Sequence, residues 1–112
     1  MRDKDGKLTE RVCFNSPYID YAKQFLKEMM SHEVDGCHLD MVDQGFGLPY
    51  GCWCRHCQDT FQRKHRHAMP TGMHWDAAWK KMMTFRYDSS AELEMALVRY
   101  VKMTWPTISV DF

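Results

Sequence analysis

Between Val34 and Cys57 the chain reads VDGCHLDMVDQGFGLPYGCWCRHC, and no other stretch restricts the fold as much. Val34 to Val42 is a short, mostly apolar run. It is entered through Asp35-Gly36 and left through Gly45, Gly47 and Pro49, a frame that predicts a β-strand rather than a helix. Alternation sorts its side chains onto two faces. Cys37, Leu39 and Met41 share an apolar face. Val34, Gly36, His38 and Asp40 share the other, which becomes polar toward the carboxyl end. Parallel strands in α/β folds are often apolar on both faces, so Asp40 is costly to place there unless it serves chemistry. The carboxyl end of a strand is where α/β enzymes keep their reacting groups.

The loop that follows carries Cys52-x-Cys54-x-x-Cys57. Structural zinc takes four soft ligands in a tetrahedron, commonly thiolates. A C-x-x-C pair opening a helix brings two thiolates together, and the helix N-terminus favours their charge. The best fourth ligand is Cys13, just ahead of the helix that leads into the strand. His56 and His65 are rivals, and a cluster of reduced, metal-free thiols remains open. Cys37, on the apolar strand face, reads as a small buried hydrophobe. A thioredoxin-like redox pair is disfavoured because no strand leads directly into the motif. With five cysteines, an odd number, three of them crowded together, metal-bound thiols in a reducing, cytoplasmic setting fit better than a disulfide framework.

The rest of the chain places these motifs. Residues 1–12 are polar, with a turn at Asp5-Gly6 and no apolar leader segment. Ser16 as N-cap and Pro17 at the first helical position predict a helix over 17–31, with Tyr18, Ala22, Phe25, Leu26 and Met29 in its apolar stripe. Gln58 to His65 predicts a second helix. The basic run over 63–67 suits a helix C-terminus and a solvated surface better than phosphate binding. Trp75, Ala78, Trp79, Met82 and Met83 form another stripe. Ser89-Ser90-Ala91-Glu92 reads as a capping box opening a further long helix over 90–104. Thr107 to Phe112 predicts a second strand, with Ile108, Val110 and Phe112 on one face.

Length and charge narrow the classes. A chain of 112 residues with 15 basic and 15 acidic side chains holds one small domain with no global field for nucleic acid. No apolar run approaches the roughly 18 residues of a membrane span. The predicted fold class is α/β: two parallel strands with long helical connections. Two parallel strands do not make a sheet covered on both faces, so residues 1–112 read as a single segment of a larger domain, a partial (β/α)₈ TIM barrel.

Two resemblances add to this. Cys13-x-Asn15-Ser16-Pro17 and Cys52-Trp53-Cys54-Arg55-His56-Cys57-Gln58 resemble segments of the zinc-binding β-galactosidases of glycoside hydrolase family 42. That resemblance covers residues 12–61 and implies that Cys13, Cys52, Cys54 and Cys57 bind zinc on a TIM barrel. In that family the strand ends Asp-Asn-Glu and the Glu is the acid/base; here it reads Asp40-Met41-Val42, so that role is not carried over. The run Val34 to Asp40 and the segment Phe85 to Ser89 look more like hypothetical glycosyl hydrolases related to α-L-fucosidases, which implies Asp40 as nucleophile and a helix junction at 85–89.

The expected function is therefore part of a retaining glycoside hydrolase acting on a carbohydrate, with Asp40 catalytic, His38 and Asp43 as substrate contacts, and structural Zn²⁺. His38 is the nearest donor to Asp40 in sequence. Tyr50 and Trp53 are able to stack on a sugar or pack about the metal. The isolated chain is expected to be inactive, neither nucleic acid nor membrane is an expected partner, and the parent enzyme is a possible homo-oligomer. The competing class is a zinc-stabilised binding or interaction module without catalysis.

Overall fold

The computed structural model of the chain describes residues 1–40, 51–72 and 75–111. Its elements run α1 (Tyr18–Met29), β1 (Gly36–His38), α2 (Arg55–His65), α3 (Ala77–Thr104) and β2 (Ser109–Asp111). Among the described residues the class is mixed helix and strand, with one two-stranded parallel sheet. Gly36 faces Ser109, Cys37 faces Val110 and His38 faces Asp111. The ladder continues past each end: Ser109 N–H donates to Asp35 O and Leu39 N–H to Asp111 O, both at 3.0 Å. Gly36 suits this pairing, since a Cβ there would meet Ser109 Oγ at 2.9 Å and Ser109 O at 3.2 Å.

Both strands are shorter than their apolar runs suggest. Met41, Val42, Asp43, Tyr50 and Phe112, which the sequence reading assigned to strand or site, lie outside the described residues. Their half-buried central residues, Cys37 and Val110, pack with Leu39 and Ile108 against Ala22 and Leu26 of α1 and Leu93, Leu97 and Val101 of α3. The expected apolar strand face is thus the one that meets the helices. Cys37 is only half-buried, not sealed in the core.

α1 begins one residue later than expected. Pro17 occupies the cap position without a side-chain bond. Ser16 Oγ instead accepts from Tyr18 N–H at 3.3 Å and donates to Cys13 O at 2.5 Å. α2 begins earlier, at Arg55, and ends in a left-handed Arg66 whose N–H reaches Gln62 O. Arg63, Lys64 and His65 stand in its last turn, where carbonyls face them.

The main correction concerns α3. The predicted capping box at Ser89-Ser90-Ala91-Glu92 does not start a helix, and residues 85–89 are not a junction. One 28-residue helix runs through them. Its real cap is Asp76, whose side chain accepts from Trp79 N–H at 2.9 Å. Ser89 bonds back to its own helix, Oγ to Phe85 O at 2.8 Å, the usual way a serine is absorbed mid-helix. Glu92 reaches across to Lys64 of α2 at 2.5 Å. Neither Gly nor Pro interrupts residues 77–104, so nothing local stops the helix once both ends are packed.

α3 spans two apolar clusters. Trp79, Met82 and Phe85 join Phe61, Trp53 and Met1 at one end; Leu93, Leu97 and Val101 serve the sheet at the other. Arg86 and Ser89, both buried, separate them. Among the described residues no helix is long and apolar enough to cross a membrane.

Candidate metal centre

Cys13, Cys52, Cys54 and Cys57 come together at the first cluster, their sulfurs all within 4.8 Å of one another. All are free thiols. Cys13 and Cys57 share a hydrogen bond at 3.3 Å, and the Cys54 thiol donates to Cys13 at 3.3 Å. Four sulfurs each about 2.3 Å from one ion would form a tetrahedron with edges of about 3.8 Å. The observed separations bracket that value, so a metal ion fits with small side-chain adjustments.

Three short segments build the site. Cys13 lies in a tight turn closed by Ser16 N–H to Cys13 O at 3.1 Å. Cys52 and Cys54 flank Trp53 in the extended lead into α2. There Trp53 N–H donates to Arg2 O at 2.8 Å, and Gln58 Nε2 bonds Trp53 O. Cys57 stands in the first turn of α2, where the amides favour a thiolate. The N-terminal turn, with Gly6 at φ 84° and an antiparallel bridge between Arg2 and Leu8, folds Met1 into the same cluster. Cys52, Cys57 and Phe61 are at most 1% exposed.

Cys13, Cys52 and Cys57 are shifted in different directions. Cys52 is held low by hydrogen bonds from Cys13 first, then from Cys57, and by backbone N–H groups. Cys13 is pushed up to about 12, chiefly because its proton serves Cys52. Cys57 is pushed up by its bonds to Cys13 and Cys52 and by burial. Among these three thiols the negative charge therefore favours Cys52 when no metal is bound. A divalent cation reverses the order and favours four thiolates.

Neither rival ligand joins the cluster. His56 is exposed. His65 packs at a tilt against Phe61, ring centroids 4.4 Å apart, and burial pushes its pKa down. Trp53 packs inside, with Nε1 bonded to Pro70 O at 2.8 Å, so it presents no face to a sugar. Asn15 was a motif letter without a role in the sequence; it donates to Cys57 Sγ at 3.5 Å.

The predicted catalytic residues lie elsewhere. Asp40 is exposed in the turn that follows β1. With His38 it borders a groove of about 760 Å³ whose wall includes Tyr21, Phe25 and Met29 of α1. His38 Nδ1 bonds Asp111 Oδ1 at 2.9 Å, so the cross-strand neighbour, not Asp40, is its partner. Parallel register explains this, and it was visible only once β2 was paired. Asp43 lies outside the described residues. The chain matches no protein-family model, no curated protein and no solved structure.

Proposed function

We propose that the chain binds one zinc ion through Cys13, Cys52, Cys54 and Cys57 and that the ion's role is structural. One observation carries this: four sulfurs, those of Cys13, Cys52 and Cys57 on buried residues and that of Cys54 on a half-buried one, converge within 4.8 Å from two stretches distant in sequence. An all-sulfur donor set selects zinc among the abundant divalent ions, and four protein ligands leave no open position for substrate. The ion would clip the turn before α1 to the lead into α2, and its binding energy would be folding energy. Chain purified with zinc should hold about one equivalent by elemental analysis, and Cys54→Ser should release it and lower the melting temperature. Metal-free wild-type chain that melts like the zinc-treated chain would sink this reading.

The wider proposal is that this segment belongs to a retaining glycoside hydrolase acting in a reducing, cytoplasmic setting. Asp40 would be the nucleophile at the carboxyl end of a parallel strand. Supporting it are the parallel pairing of β1 with β2 and the position of Asp40 on the rim of an open groove. The sugar and a second carboxylic acid would meet Asp40 from parts of the parent outside this chain. In that parent, Asp40→Asn should cut turnover by orders of magnitude with the melting temperature unchanged. Unchanged turnover would leave a zinc-stabilised binding module as the reading.

A further inference from the structure

Asn15 makes two hydrogen bonds through the same nitrogen. Nδ2 lies 2.9 Å from Ser89 Oγ and 3.5 Å from Cys57 Sγ. Ser89 Oγ carries a single hydrogen, and it is committed to Phe85 O at 2.8 Å. Toward Asn15 this hydroxyl can therefore only accept. That fixes the orientation of the Asn15 amide: the NH₂ group, not the carbonyl oxygen, must face Ser89 and Cys57. One of its two hydrogens goes to Ser89, and the other points at the sulfur. Cys57 must then accept, which a metal-bound thiolate does better than a neutral thiol. The serine that anchors this amide is 3% exposed and sits on α3 between the two apolar clusters.

We propose that Asn15 is a positioning residue of the metal centre: its amide, oriented by Ser89, donates to the Cys57 thiolate and links metal occupancy to the middle of α3. This rests on the zinc reading above. The donor withdraws charge from one of four crowded thiolates and holds its sulfur toward the ion, as outer partners of metal ligands do. Through the same amide, the turn carrying Cys13 is tied to Ser89. Loading the metal then restrains α3 at 85–93 as well as the loops.

The test uses the full chain with zinc, and with cobalt as a coloured substitute. Wild type should bind one cobalt with sulfur-to-metal charge-transfer absorption; without that band the zinc reading itself fails. Asn15→Asp keeps the size and removes the donor. It should weaken zinc binding about 10- to 100-fold and shift the charge-transfer band to lower energy, since the sulfur becomes more electron-rich. A loop anchor would not move that band. Zinc should also slow amide hydrogen exchange at 85–93 in wild type, and Asn15→Asp should abolish that slowing. Wild-type affinity together with an unmoved band would overturn the proposal and leave the zinc site standing. If Asn15→Asp does not fold, Ser89→Ala carries the test. It frees the amide to rotate and should lower zinc affinity and the zinc-dependent protection of α3; no change in either would equally overturn it.

Discussion

At the scale of single residues, the cluster is a competition between protons and a cation for four sulfurs. Cys13 is raised from the ordinary 9.0 to about 12, with the Cys52 bond as the main cause. Cys57 is raised as well. A raised value in the folded state contributes stability below pH 9.0 that is lost as pH climbs through the folded value. Cys52 is shifted the other way, and its contribution still grows as pH passes 9.0, so it offsets one of these two losses and leaves the other. The metal-free chain should therefore melt at a lower temperature at about pH 10 than at about pH 8. In the zinc-loaded chain the four thiols are already ionised, and the alkaline loss should be smaller. Calorimetry of both forms at both pH values checks this, and equal losses would contradict the assignment. The exposed His38–Asp111 pair should contribute little by comparison.

At the scale of elements, α3 is the spine, and its two halves serve different tasks. Leu97 is 4% exposed and belongs to the cluster that holds the sheet. Leu97→Ala should cost about 2–5 kcal/mol in denaturant unfolding, from lost transfer energy and a residual cavity. It should leave the zinc content of the folded chain unchanged. Phe61 is fully buried beside the sulfurs and meets Phe85 edge-on, centroids 5.3 Å apart. Phe61→Ala should cost about 3–5 kcal/mol and also weaken metal retention in a chelator competition. Identical metal retention in the two variants would show that the clusters do not divide as the packing indicates.

At the scale of the molecule, the chain is elongated. Its extents are 49 × 24 × 21 Å and its radius of gyration 15.8 Å, against about 13 Å for a compact domain of this length. Tyr21, Phe25 and Met29 of α1 stand exposed along the open groove. An apolar stripe beside a two-stranded sheet favours self-association. Phe25→Lys should lower the association seen by sedimentation velocity while changing the melting temperature little, since Phe25 is 52% exposed. An unchanged sedimentation profile would show that this stripe is not the sticky surface.

Some of this was decided by sequence alone. Cysteine spacing named three ligands because thiolate geometry is local: Cys52, Cys54 and Cys57 share one short stretch, and a turn plus half a helical turn brings them together, whereas only the tertiary structure chose Cys13 over His56 and His65 as the fourth. The apolar alternation of Cys37 and Leu39 placed that face toward the helices, since strand periodicity survives any packing. The end of α2 was legible too, but of the α1 stripe Tyr18, Ala22 and Leu26 pack toward the sheet while Phe25 and Met29 stand exposed. Tertiary structure decided the rest. Ser89-Ser90-Ala91-Glu92 has the letters of a helix start, yet α3 runs through it. A capping box is worth about as much as the few backbone bonds it replaces, whereas burying Phe85 at one end and Leu93 at the other favours continuity by more. Asp111 as partner of His38, and Asn15 as the link between Cys57 and Ser89, depend on contacts 73, 42 and 74 residues apart in sequence. No local pattern encodes such contacts, because the energy that selects them exists only after the chain has closed on itself.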